Sequence, residues 1–172
     1  IADAIVKGVD GFDVELAFEA MTPSAGEDRF GLAAYRRQGF IPAEEESESV
    51  SRTLEYAYDD WCIAMVARRL GRQAEYERYL RRAQAWKHLF DPGTGFMRAR
   101  LDGFWFSPFD PAEVNAHYTE ANAWQYSFFV PQDVGGLIRA LGGDGPFAAR
   151  LDALFSAASR ITGTQQADIT GM

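Results

Sequence analysis

Hydrophobic residues recur at helical spacing along most of this chain, with polar residues between them. Near the start the pattern predicts two short helices, with Asp13 as the N-cap of the first and Gly39 as the C′ residue of the second. An acidic stretch then leads into the longest helix, which Ser47 or Ser49 is expected to cap. The predicted helices cover residues 13–21, 28–38, 51–70, 74–90, 119–130, 134–141 and 147–159.

Two of these helices differ in how their apolar residues are distributed. The middle of helix 51–70, residues 61–67, is apolar on all sides, which predicts an inner helix that is covered all round. Helix 74–90 has one apolar stripe and a charged opposite face, which is typical of an outer helix. This alternation favours an all-α fold of about half an (α/α)6 toroid. A solenoid is disfavoured because the chain shows no repeat of about 34 or 40 residues.

One region departs from the helical pattern. Residues 96–107 alternate in polarity around Asp102-Gly103, which predicts a β-hairpin-like insertion between helices. Asp102 is expected to have only a structural role, in the turn. Since long structured loops often carry functional sites, this aromatic-rich segment is a candidate for one.

Composition excludes several classes of protein. The 172 residues carry a formal net charge of −8, which argues against nucleic-acid binding. No apolar run reaches the ~18–20 residues of a membrane span. Cys62 cannot form an internal disulfide, and the two histidines lack a cysteine cluster that would complete a zinc site, so no metal ligands are predicted. Because the chain starts at Ile1 without Met, we expect residues 1–172 to be part of a domain truncated at both ends.

Glu120 is the first candidate for catalysis. It lies in the segment 118–126, whose aromatic residues are expected to remove water from its carboxyl group. Desolvation raises a carboxyl pKa toward the range that suits a general acid. The alternative is that Glu120 occupies the first turn of a helix, where a negative charge is favoured by the helix dipole.

Other side chains could bind a ligand or serve the structure. Trp105 and Trp124 are either core residues or platforms on which a sugar stacks. Asp60 is either a substrate-binding residue or, like Asp59, the partner of one of the many arginines. Gln125 follows Trp124 in the same segment as Glu120 and is included among the candidate substrate-binding residues.

Five separated motifs together resemble glycoside hydrolase family 92, the calcium-dependent, exo-acting α-mannosidases. They follow the family's order and lie at residues 39–42, 50–61, 90–98, 108–111 and 118–126. The resemblance implies an N-terminal β-sandwich followed by an (α/α)6 barrel. It also implies hydrolysis of α-1,2-linked or related mannosides with inversion, with Glu120 as the general acid.

The resemblance further implies what lies outside residues 1–172: the general base, the calcium ligands and the motif that recognises the leaving sugar. We therefore expect the segment to be inactive alone. Export to the periplasm, the cell surface or the medium is implied by the family. A half-ring leaves inner helices uncovered, so a homodimer or the rest of the parent chain is the expected partner, besides a mannose-containing glycan.

Two alternatives stay open. The segment could be a non-catalytic helical module that binds carbohydrate or a partner through an exposed apolar patch. It could also belong to another (α/α)6 glycosidase or a lyase.

Overall fold

The computed structural model describes residues 1–9, 11–157 and 162–163. Most of this part of the chain is helical, with two small antiparallel hairpins in the middle. The α-helices are α1 (Ala2–Val6), α2 (Val14–Ser24), α3 (Leu32–Gln38), α4 (Ser49–Arg69), α5 (Gln73–Arg82), α6 (Ala123–Tyr126), α7 (Val134–Ala140) and α8 (Asp144–Ser156). The strands are β1 (Phe90–Asp91), β2 (Phe96–Met97), β3 (Arg100–Leu101) and β4 (Phe104–Trp105). Within the described residues, no helix is long and apolar enough to cross a membrane.

The helices α4 and α5 form the central pair, and they match the predicted inner and outer helices. Gly71 adopts φ +70°, which lets the chain reverse between them. Tyr79 of α5 packs into the core that contains Ile63 and Ala64 of α4. The expected covering of residues 61–67 is incomplete: Ile63, Ala64, Val66 and Ala67 are buried, whereas Trp61, Cys62 and Met65 are half-buried. Nearer the start of α4, an exposed stripe includes Glu55 and Asp59.

The start of α4 is capped in a different way from the prediction. Its N-cap is Glu48, with no capping bond from a side chain, and neither Ser47 nor Ser49 takes that role. The backbone N–H of Glu48 donates to the carbonyl of Ala116, and the N–H of Val50 donates to the next carbonyl along that loop. A neighbouring loop therefore satisfies donors that a capping side chain would otherwise serve.

Three predicted helices are clearly shorter than expected, and the first of them, 28–38, is reduced to α3. The outer helix ends at Arg82, a 3₁₀ turn follows at Ala85–His88, and Phe90 belongs to β1 instead. The predicted helix 119–130 is reduced to α6, because the Asn122 side chain caps the chain just before Ala123. The limit of α6 is set by this local cap, whereas at the end of α5 the carbonyls of Arg82 and Ala83 accept from the distant side chains of Tyr35 and Gln132. The described part of α8 ends at Ser156, and residues 158–159 of the predicted helix lie outside the described residues, as does the end of the chain from 164.

The insertion contains two hairpins where one was predicted. Strand β1 pairs with β2 in the register Phe90↔Met97, and β3 pairs with β4 in the register Arg100↔Trp105. The predicted Asp-Gly turn is confirmed in the second hairpin, where Asp102 and Gly103 adopt φ values of 49° and 79°. Two positive φ angles in succession are the geometry of a type I′ turn, which suits the twist of a hairpin.

Candidate active site

A loop before α6 holds Glu120 against the N-terminal end of α4. The backbone N–H of Thr119 donates to Ser51 Oγ at 2.8 Å, and the Tyr118 hydroxyl donates to the carbonyl of Met97 at 2.8 Å. Burial raises the pKa of Tyr118, so its hydroxyl remains a neutral donor. The loop is thus fixed both to α4 and to the first hairpin.

Glu120 has a backbone conformation that is uncommon for a residue with a side chain. Its φ is +50°, and its side chain is exposed. The left-handed region costs a non-glycine residue about 1–3 kcal/mol and is kept only where the surroundings impose it, most often at functional sites. Two expectations are corrected: aromatic neighbours do not bury Glu120 in this chain, and it precedes α6 instead of lying in a first helical turn.

Gln125 contributes to the cap of α6. Its side-chain oxygen accepts from the N–H of Asn122 at 3.1 Å, while the Asn122 side chain accepts from the N–H of Trp124 at 3.1 Å. This reciprocal capping box fixes the chain two residues after Glu120. Since the oxygen of Gln125 is already engaged, a ligand would meet its NH2 group.

Trp124 packs at the edge of the core and keeps part of its side chain exposed. Its ring meets Phe96 edge-on, with 4.8 Å between centroids. The guanidinium of Arg150 lies 3.8 Å from the Phe96 centroid and 5.0 Å from that of Trp124. Arg150 also donates to the carbonyls of Thr94 and Gly95 at 2.8 and 2.9 Å, so it fastens α8 to the first hairpin.

Trp105 is half-buried on β4, among cations. The guanidinium groups of Arg98 and Arg100 lie 5.9 and 5.0 Å from its ring centroid. Arg98 also stacks on Phe109 at 4.4 Å, and Phe109 meets Phe96 at 5.8 Å. Contacts thus continue from Trp105 through Arg98 and Phe109 to the rings around Trp124. We call Phe96, Phe109 and Trp124, together with Trp105, which joins them through Arg98, the aromatic cluster.

Arg98 ties the two hairpins together. Its Nη1 donates to Asp91 at 2.8 Å and its Nη2 to the carbonyl of Phe106 at 2.7 Å. The side chains of Arg98 and Asp91 are only 12% and 8% exposed. Burial alone would raise the pKa of Asp91, but the bonds from Arg98, Thr94 and the N–H of Gly93 hold it below its usual range.

Replacing Arg98 by Met is expected to lower the free energy of unfolding by about 2 kcal/mol, because two charge-assisted hydrogen bonds in a buried setting are lost. Urea denaturation measures the change. Arg78→Met is the matched control, since Arg78 is exposed on α5 and stacks only on Tyr79. Equal stabilities of the two variants would contradict the role given to Arg98.

Asp60 lies apart from these residues. It is 1% exposed, and its Oδ2 accepts from the Tyr35 hydroxyl at 2.7 Å and from Arg82 Nε at 2.8 Å. Along α4 it is about 13 Å from Ser51, which marks the position of the Glu120 loop. The expectation that Asp60 binds substrate is therefore corrected, because the structure shows the alternative, an enclosed ion pair with an arginine.

A cavity of about 340 Å³ lies beside this ion pair, between α4 and the loop after α2. Phe30, Tyr56 and Asp59 are among the residues that line it. Neither Glu120 nor either tryptophan of the aromatic cluster reaches it. This cavity is therefore separate from the site around Glu120.

The model of the Glycosyl hydrolase family 92 catalytic domain matches residues 1–171 of the chain. The chain belongs to glycoside hydrolase family 92. One solved relative is the family GH92 α-mannosidase BT3965 from Bacteroides thetaiotaomicron in complex with mannoimidazole. It is 43% identical, with a TM-score of 0.87 over 94% of this chain and 22% of its own.

Two further relatives agree. The family GH92 inverting mannosidase BT2199 from the same bacterium is 35% identical, with a TM-score of 0.83 over 99% of this chain and 24% of its own. An uncharacterized secreted glycosidase from Arthroderma benhamiae is 34% identical over 90% of this chain and 25% of its own length. The chain thus spans about a quarter of the length of these relatives. The predicted (α/α)6 fold is confirmed, since the family 92 mannosidases on which the chain superposes have that toroid.

The calcium that family 92 implies finds no cage in this part of the fold. Among the described residues, no three or more His, Cys, Asp or Glu side chains come together in a way that could hold a metal ion. Calcium takes six to eight oxygen ligands, which the exposed carboxylates Glu55 and Asp59 of α4 cannot supply alone. The residues present do not fit the ion.

Several residues that shape this family 92 site were not predicted. Arg98 lies within the motif 90–98, but the hairpin pattern does not predict its ion pair with Asp91. Ser51 and Tyr118 also lie in motifs, and their bonds to the Glu120 loop join residues far apart in the chain. The only sign of these residues in the sequence is that their motifs contain polar and aromatic side chains at positions where a helix alone does not require them.

Proposed function

We propose that this chain carries the general acid of an inverting exo-α-mannosidase and that Glu120 is that acid. The observation that carries the proposal is the left-handed backbone of Glu120 in an exposed loop that Ser51, Met97 and the α6 cap hold in place. The mannosidase relatives support it, since one is an inverting enzyme and another binds mannoimidazole.

In the proposed reaction, Glu120 donates its proton to the glycosidic oxygen as the bond from that oxygen to the anomeric carbon breaks. A water molecule attacks the same carbon from the opposite face and gives its proton to a carboxylate outside this segment. The two carboxyl groups of an inverting enzyme stand about 6.5–9.5 Å apart, which leaves room for the water. An α-mannoside then yields β-mannose and the freed hydroxyl of the leaving sugar.

The aromatic cluster supplies the proposed sugar platform. Trp105 and Trp124 are both partly exposed, and an aromatic ring can stack on the C–H face of a pyranose. The NH2 group of Gln125 can donate to a sugar hydroxyl. Stacking and neutral hydrogen bonds of this kind suit an uncharged, polyhydroxylated ligand, which needs no lysine or arginine for its binding.

Three further properties are part of the proposal. Calcium is required, with its ligands outside the described residues. The protein is exported, as the Arthroderma benhamiae relative is described to be. The uncovered inner helices pair with the remainder of the parent chain or with a second copy.

The experiment that tests the function is mannose release from α-1,2-mannobiose, measured for this chain and for the protein extended over the full length of its relatives. Each is assayed with calcium and with a chelator. Activity in the extended protein alone, lost on chelation, is expected. Failure of the extended protein to release mannose from this and other α-mannosides would favour the non-catalytic module.

A further inference from the structure

Glu55 lies on the exposed stripe of α4, next to the loop that holds Glu120. Ser51, which accepts the N–H of Thr119 at 2.8 Å, precedes it by one helical turn, about 6 Å. Residues four apart lie on the same face of a helix. The carboxylate of Glu55 and the loop of Glu120 therefore share one end and one side of α4.

Tyr126 connects these elements. Its hydroxyl donates to Glu55 Oε1 at 3.1 Å, and Ser51 and Thr119 lie near enough to influence the pKa of the same hydroxyl. Burial raises the pKa of Tyr126, so the hydroxyl stays protonated and can donate. The ring also packs 6.2 Å from that of Tyr118. One oxygen of Glu55 is thereby fixed by a residue of α6.

Glu55 has no cationic partner among the ion pairs of the described residues. Asp60 and Asp91 each pair with an arginine, and Glu48 pairs with Arg52. The charge of Glu55 acts on another acid, Asp59, whose pKa is raised by partial desolvation and by Glu55. A carboxylate held at one oxygen and open at the other is suited to accept hydrogen bonds from neutral hydroxyl groups.

We propose that Glu55 is a substrate-binding residue that accepts a hydrogen bond from a hydroxyl of the sugar whose glycosidic oxygen Glu120 protonates. Tyr126 is its positioning residue. The ligand class is a pyranoside with a free hydroxyl near the reacting carbon. This inference rests on the proposed function, because it places the sugar beside Glu120.

The test uses the full-length protein that contains this segment, with α-1,2-mannobiose and the analogues that lack one hydroxyl of the non-reducing ring. Glu55→Gln is expected to lower kcat/KM on mannobiose by about 10- to 100-fold, the effect of losing a hydrogen bond to a charged group. Glu77→Gln is the control, since Glu77 is an exposed glutamate on α5 that accepts one bond from Gln73. It is expected to leave kcat/KM unchanged.

The deoxy analogues separate binding from a structural effect. On the analogue that lacks the contacted hydroxyl, the wild type and Glu55→Gln are expected to have equal kcat/KM. A uniform loss by Glu55→Gln on every analogue, or no loss on any, would overturn the proposal. Tyr126→Phe is expected to raise KM about 3- to 10-fold with the same preference among analogues, whereas an unchanged KM would overturn its positioning role.

Failure of the proposed function gives a different experimental result from failure of the Glu55 proposal. In that case the wild-type protein would release no mannose from any substrate, and both proposals would fall. A wild-type enzyme that is inactivated by a substitution at Glu120 but indifferent to one at Glu55 would overturn this inference alone.

Discussion

Replacing Glu120 by Gln in the full-length protein is expected to lower kcat on α-1,2-mannobiose by about 10²- to 10⁴-fold. Glutamine keeps the size of the side chain and has no acidic proton to give to the leaving oxygen. The measurement is steady-state mannose release at saturating substrate. Because binding groups stay in place, KM is expected to change little.

The dependence on the leaving group makes this result specific to a general acid. A dinitrophenyl α-mannoside has a leaving group that departs without protonation, so Glu120→Gln is expected to cost far less on it. Glu113→Gln is the control, since Glu113 lies seven residues before Glu120 and its bond from Asn115 can be kept by a glutamine oxygen. Equal losses on both substrates would contradict the role of Glu120 as the acid.

Replacing Asp60 by Ala is expected to lower the free energy of unfolding by about 3 kcal/mol at pH 7. The substitution leaves Arg82 without its counter-charge and removes the closer of the two acceptors of the buried Tyr35 hydroxyl. Urea denaturation measures it. Asp59→Ala is the matched control, because Asp59 is the exposed neighbour on the same helix, and we expect it to change stability by less than about 0.5 kcal/mol.

The effect of Asp60→Ala also depends on pH. Burial raises the pKa of Asp60 to about 6, against the opposing pull of Arg82 and Tyr35. Between about pH 4 and pH 6 the folded state therefore holds a proton that the unfolded state has released, and stability falls as pH rises through this range. The difference between the wild type and the alanine variant is expected to grow as pH falls from 7 to 4.5. A difference that shrinks over this interval would contradict the raised pKa.

The sequence carried enough local information to find the main helices and the Asp-Gly turn. The long helix α4 begins and ends within two residues of its prediction, because its apolar positions and the following Gly71 act over a few residues. The turn at Asp102-Gly103 was predictable for the same reason, since two residues that tolerate positive φ determine it.

The sequence also predicted only part of the candidate site. The motif around Glu120 was visible in the sequence, but its exposed, left-handed conformation was not, since that depends on the bond from Thr119 to Ser51, 68 residues earlier in the chain. The capping box of Asn122 and Gln125 is a local pattern, yet the aromatic pattern around it favoured a longer helix. The local cap outweighed that preference.

By itself, then, the sequence determined the helical class, the inner and outer pair and the family, because helical periodicity and short motifs are properties of neighbouring residues. The tertiary structure alone decided that Asp60 is enclosed with Tyr35 and Arg82 and that Glu55 stands beside the Glu120 loop. Both outcomes depend on side chains that come from distant segments. Such contacts depend on how distant segments pack against each other. The pattern of residues along one stretch of chain does not determine that packing.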